Sequence, residues 1–177
     1  MNQTSIILSL ALSALVATSL AASPAASPAA SAWGAKAASA DNDLTIPDML
    51  RYAIEDEYLA RAEYAAIIEA HGSLAPFSNI VRTEVNHISW LVEAIGRAKL
   101  PVPTDEAEAL VRVPSNMKEA LAAGVEAEIA NIAMYDSFLA SSPIAAPANA
   151  GLRNLFVRLR DASKNHLAAF RNGLAKS

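Results

Sequence analysis

Four stretches of this chain carry apolar residues at the three-and-four spacing of a buried helix face, and each face is broken near its middle by polar side chains. The first face runs Leu50, Ala53, Glu57, Ala60, Tyr64 and Ile67, and the second Phe77, Ile80, Glu84, His87, Leu91 and Ile95. The third runs Leu121, Val125, Glu128, Ile132, Tyr135 and Leu139, and the fourth Leu152, Phe156, Leu159, Ser163, His166 and Phe170. A glutamate where a core needs a leucine is costly, so four interruptions in phase require a common explanation.

The interruptions also repeat. Glu57 precedes Tyr64 by seven residues, as Glu128 precedes Tyr135, while Phe77, Glu84, His87 and Leu91 share the spacing of Phe156, Ser163, His166 and Phe170. Two copies of a helical hairpin are implied, related by an approximate two-fold axis that brings the four polar positions to one level. Such symmetry makes the second and third helices parallel, so the connection between them must cross the bundle. A linker of about 15 residues reaches on the order of 50 Å when extended, more than the roughly 36 Å length of a 24-residue helix.

Punctuation residues place the helices. Thr45 before Pro47 and Asp48 is a helix start, giving a first helix over 47–70 closed by His71 and Gly72. The second is expected over 77–99, stopped by Pro101 and Pro103, with 100–114 as the crossing connection. Ser115 is the expected cap of a third helix reaching residue 140, and Pro143 and Pro147 separate it from a fourth over 150–175. The fold class is all-α: a four-helix bundle made of two repeated hairpins, occupying residues 45–177.

Upstream of the bundle, residues 5–22 form an apolar, alanine- and leucine-rich run followed by small residues, the pattern of a signal peptide spanning 1–22. Export to the periplasm or medium is expected, with no stable membrane insertion after cleavage and with an uncleaved membrane anchor as the alternative. Residues 23–44 repeat Ala, Ser and Pro and read as a low-complexity linker. Trp33 lies within it without an assignable role.

The 177 residues include no cysteine, which excludes zinc ribbons, iron–sulfur clusters and thiol catalysis. The net charge of −4 is spread without a basic stripe, which argues against nucleic acid as a partner. A homodimer is left open. Arg61 and Arg82 flank the polar layer out of phase with it, so the central carboxylates have no cation on their own faces. A metal ion is the natural counter-charge. Glu84-x-x-His87 sets two ligands on one helix face, and a set of carboxylates and imidazoles suits iron or manganese and can also hold zinc or copper. Glu55, Asp56, Glu63 and Glu126 are expected on the solvated faces.

Glu57 with Tyr64, Glu84-x-x-His87, and Glu128 with Tyr135 resemble the rubrerythrin branch of the ferritin-like superfamily. The fuller pattern, Phe77-x-x-Ile80-x-x-x-Glu84-x-x-His87 with Ser163-x-x-His166-Leu167-x-x-Phe170, is most similar to the bacterial and archaeal family called domain of unknown function 2202. The resemblance spans residues 50–170. It implies that Glu57, Glu84 and His87 hold one iron, that Glu128 and His166 hold another, and that Glu84 bridges. Tyr64, Tyr135 and Ser163 would stand beside the ligands. Ser163 departs from the superfamily pattern, which has a second bridging glutamate there, and the cysteine-ligated electron-transfer domain of rubrerythrins has no counterpart.

Two functions are compatible with these residues. One is an oxidoreductase of ferroxidase or peroxidase type, acting on Fe(II), dioxygen or peroxide through one or two irons. The other is a bundle that binds or scavenges metal, or is merely braced by it, without catalysis.

Overall fold

The computed structural model describes residues 33–177, all helical or connecting, with no strand among them. The helices are α1 (Gly34–Ala40), α2 (Ile46–His71), α3 (Phe77–Arg97), α4 (Met117–Ala140), the single turn α5 (Ser142–Ala145) and α6 (Ala150–Leu174). The expected export segment, 1–22, lies outside the described residues. Among those described, no helix is long and apolar enough to cross a membrane.

Local chemistry sets the ends of the long helices. Thr45 and Asp48 form a reciprocal capping box at the start of α2, with Pro47 in the first turn where its missing N–H costs nothing. Gly72 closes α2 at φ 93°, a region that favours glycine, while its N–H donates to the Ile68 carbonyl. At α4 the cap is Asn116 and not the expected Ser115: the Asn116 side chain accepts from the Glu119 N–H at 3.0 Å, and the Ser115 hydroxyl donates to the Glu119 carboxylate at 2.7 Å. The shorter serine side chain serves the acid, and the amide serves the backbone.

Helices α2 and α3 pack antiparallel, as do α4 and α6. Between the pairs, the connection from α3 to α4 follows α2 from its first turn to its last. Leu100 to Pro103 border a cavity with Pro47 and Leu50, Asp105 pairs with Arg61, and Pro114 accepts from His71 Nε2 at 2.8 Å. Midway, a 3₁₀ turn (Ala107–Leu110) buries Ala107 completely. Helix α3 therefore ends where α2 begins, and α4 begins where α2 ends.

The core divides into two apolar clusters. One contains Leu50, Leu91, Ile95, Phe138, Phe156 and Leu159; the other contains Tyr64, Phe77, Leu121 and Phe170. Glu57, Glu84, His87, Glu128, Ser163 and His166 are buried polar residues of the same four helices. Gly124 lets α4 approach α6 closely, since a Cβ there would lie 2.8 Å from the Phe170 ring.

Two expectations are corrected. Residues 34–40 are helix and not linker: the small side chains of Ala35, Ala37 and Ala38 are buried, and α1 packs on α2 and α4. Its first amides complete the attachment, Gly34 N–H donating to Glu55 at 3.3 Å and Ala35 N–H to Asp56 at 2.7 Å. The buried face of α4 also lies one residue earlier than expected in places, at Gly124, Asn131 and Phe138 instead of Val125, Ile132 and Leu139. The close approach of Gly124 to Phe170 and the hydrogen bond from Ser163 to Asn131 fix that phase.

Candidate metal centre

Each of the four long helices contributes to one buried layer. Glu57 comes from α2, Glu84 and His87 from successive turns of α3, Glu128 from α4, and Ser163 and His166 from α6. All six are buried. They form two overlapping groups, Glu57 with Glu84 and His87, and Glu84 with Glu128 and His166, each offering one ligand atom per residue with the three atoms within 4.8 Å of one another. Glu84 belongs to both.

The distances describe a centre closed by its own imidazoles. His87 Nδ1 lies 2.8 Å from Glu84 Oε2 and 3.1 Å from Glu57 Oε2, and His166 Nδ1 lies 3.2 Å from Glu84 Oε1 and 3.3 Å from Glu128 Oε1. Each oxygen of Glu84 thus faces a different histidine. Two tyrosines enter crosswise: Tyr64 of α2 donates to Glu128 Oε1 at 2.9 Å, and Tyr135 of α4 donates to Glu57 Oε1 at 2.7 Å.

The protonation of this arrangement follows from burial and pairing. Burial, reinforced by the charge of Glu84, pushes Glu57 up to about 8. Burial would raise Glu84 too, but its hydrogen bonds with His166, His87 and Glu57 hold it down at about 2. Burial alone would lower the imidazoles, yet hydrogen bonds to Glu57 and Glu84 lift His87 to about 10, and those to Glu128 and Glu84 lift His166 to about 9. Burial raises Glu128 against the opposing hydrogen bond from His166. Burial and the neighbouring carboxylates push both tyrosines well above the ordinary phenol value. Near neutral pH these shifts keep protons on Glu57, His87 and His166.

The residues fit a metal ion in a way that a salt-bridge cluster alone does not require. The Thr83 hydroxyl donates to the Ile80 carbonyl at 2.6 Å, so its oxygen, 3.1 Å from His166 Nε2, is left to accept. His166 therefore carries a proton on Nε2, and its Nδ1, facing both carboxylates, is the atom free to ligate once deprotonated. A histidine ligand commonly has its second nitrogen tied in this way. Among the described residues, the ion pairs of Glu57, Glu84 and Glu128 are with the two imidazoles, with no Lys or Arg involved.

Ser163 sits in the layer but is turned from it. Its hydroxyl reaches Asn131 Oδ1 at 2.7 Å and the Leu159 carbonyl at 3.1 Å, and Asn131 Nδ2 in turn donates to Asp56 Oδ2 at 2.6 Å. A polar chain thus runs from the centre to α1, whose Ala35 N–H bonds the other Asp56 oxygen.

These contacts correct the expectation that Glu55 and Asp56 are solvated, whereas Glu63 is half-buried. Glu55 is buried against Arg51 and the Gly34 amide. Asp56 is raised to about 6 by burial, against the hydrogen bonds from Ala35 and Asn131, and Glu63 to about 7 by burial and by Asp56. Asn131 was missed as the partner of Ser163, although its place at the repeat-equivalent of Ala60 is a second polar departure from symmetry that could have signalled it. Thr83 and α1 carried no comparable signal.

No protein-family model matches the chain, and no curated protein matches it. Its fold is similar to that in the crystal structure of hypothetical protein MJ0754 from Methanococcus jannaschii DSM 2661, with a TM-score of 0.63 and 20% identity, covering 77% of this chain and 84% of that one.

Proposed function

We propose that this protein is a ferritin-like, exported metal-binding bundle whose two hairpins hold one or two iron ions through Glu57, Glu84, His87, Glu128 and His166, and that it acts as an oxidoreductase toward Fe(II), dioxygen or peroxide. The observation that carries the reading is the pair of buried three-residue groups that share Glu84, one oxygen toward each histidine. Iron bound there would supply electrons to dioxygen or peroxide, Fe(II) becoming Fe(III). The protein's own part is to hold the ligands between two apolar clusters and to let the imidazoles and Glu57 take up protons when the metal leaves. Manganese, zinc and copper are the competing occupants of such a donor set.

One observation favours the non-catalytic reading, in which the site only binds or scavenges metal. Ser163 offers no carboxylate and spends its hydroxyl on Asn131 and Leu159, so the layer has one carboxylate fewer than a centre with two bridging glutamates would have. Anaerobic loading with Fe(II) followed by dioxygen or peroxide separates the two. Stoichiometric oxidation with turnover supports the oxidoreductase, and retention of Fe(II) without oxidation supports storage or scavenging. Mass determination of the mature chain from its host tests export: a product retaining Met1 in the cytoplasm contradicts it.

A further inference from the structure

A cation bound for a buried layer needs a passage, and Glu128 lines one. A cavity of about 190 Å³ lies between α2 and α4 under the start of α1, with Glu128 on its wall and the carboxylates of Asp56 and Glu63 beside it. The space exists because Ala60 and Ala127 present small side chains where α2 and α4 face each other, and it is large enough for several waters. Lys36 of α1, which is exposed, lies at the rim. Glu128 is at once part of this wall and a member of the group with Glu84 and His166, so the cavity reaches one residue of the centre.

We propose that this cavity is the entry route for a divalent cation, with Glu63 and Asp56 drawing the ion inward and Lys36 opposing it at the mouth. The inference rests on the reading of the centre as a metal site. Carboxylates along a low-dielectric cleft concentrate cations and accelerate association, whereas a cation at the entrance does the reverse. Residues that shape a route without touching the bound ion change its rates of entry and exit together and leave the equilibrium nearly unaltered. A ligand changes the equilibrium.

Stopped-flow quenching of tryptophan emission by Co(II) in the mature protein, paired with calorimetric affinity, tests the route. Ala127→Leu should slow association by about tenfold or more with little change in Kd, and Glu63→Gln should slow it several-fold at low salt and at a pH above the value at which Glu63 ionises. Lys36→Glu, at an exposed position that leaves folding intact, should accelerate association by up to about tenfold, an effect that fades as salt is added. Unchanged association rates in Lys36→Glu and Ala127→Leu, with tight Co(II) binding retained, would overturn the route and leave the metal site standing. If Ala127→Leu fails to fold, Lys36→Glu decides alone. Absence of Co(II) binding by the unaltered protein would end the reading of the site, and this inference with it.

Discussion

Tyr135, on the second hairpin, donates its hydroxyl to Glu57 Oε1 on the first at 2.7 Å. Tyr64 returns the contact by donating to Glu128 Oε1 at 2.9 Å. Helices α2 and α4 therefore each orient a carboxylate of the other. Tyr135→Phe should weaken cation binding at the group containing Glu57 by about tenfold or more, the usual scale for losing a ligand's outer partner. Tyr64→Phe should weaken binding at the group containing Glu128. Calorimetry on the two variants checks the crossed assignment, and equal losses at both groups would contradict it.

The protons held by the metal-free layer give the protein an uncommon pH response. Glu57 rises from 4.5 to about 8, His87 from 6.5 to about 10 and His166 from 6.5 to about 9, so each binds its proton more tightly folded than unfolded. Stability from these groups is fully present below their unfolded values and is lost as pH rises through the folded ones. Glu84, held at about 2, contributes in the opposite sense and only under strong acid. Metal-free protein should therefore melt at a lower temperature near about pH 9 than near about pH 6, and bound metal, which displaces the protons, should raise Tm more at the higher pH. Thermal scans at both pH values, with and without metal, test the sign.

Ser163 is where the two hairpins differ most in chemistry. Ser163→Glu should strengthen the weaker cation position, because the longer side chain supplies a charge between Glu84 and Glu128 and offsets repulsion between two cations. Ser163→Ala leaves one oxygen of the buried Asn131 without its donor and should cost about 1–3 kcal/mol in denaturant unfolding. No gain in metal affinity for Ser163→Glu would indicate that Asn131 and Asp56 hold that corner too firmly for a carboxylate to enter.

Packing makes an independent prediction at Gly124. In a solvent-exposed helix, replacing glycine by alanine stabilises by roughly 1 kcal/mol. Here the added methyl would meet the Phe170 ring at 2.8 Å, and Phe170 also packs on Tyr64 and Phe77. Gly124→Ala should instead destabilise by about 1–3 kcal/mol through overpacking. Urea denaturation decides between the two signs.

The helical class and the buried polar layer were legible because both depend on periodicity. Glu57, Glu84, His87 and His166 fall in phase with buried apolar neighbours, and burial follows from phase whatever the residue. The phase of α4 was less legible, since Ala-rich turns give nearly equal apolar content on adjacent faces; Gly124 and Asn131 decide it through contacts with Phe170 and Ser163. The docking of α1 was hidden for a related reason. Its alanines carry too little apolar surface to announce a buried face, and its attachment depends on backbone amides that find Glu55 and Asp56. The roles of Asp56 and Thr83 likewise depend on which neighbours are brought near, which no single-helix pattern encodes.

The central claim, that the layer is a metal centre with two unequal positions sharing Glu84, is tested most directly by isothermal titration of the metal-stripped protein with Fe(II) or Mn(II), joined to elemental analysis. The expected result is one tight cation and a second that is markedly weaker, with His87→Ala abolishing the tight event and His166→Ala affecting mainly the weak one. Absence of any bound metal would contradict the account, leaving a bundle braced by glutamate–imidazole pairs.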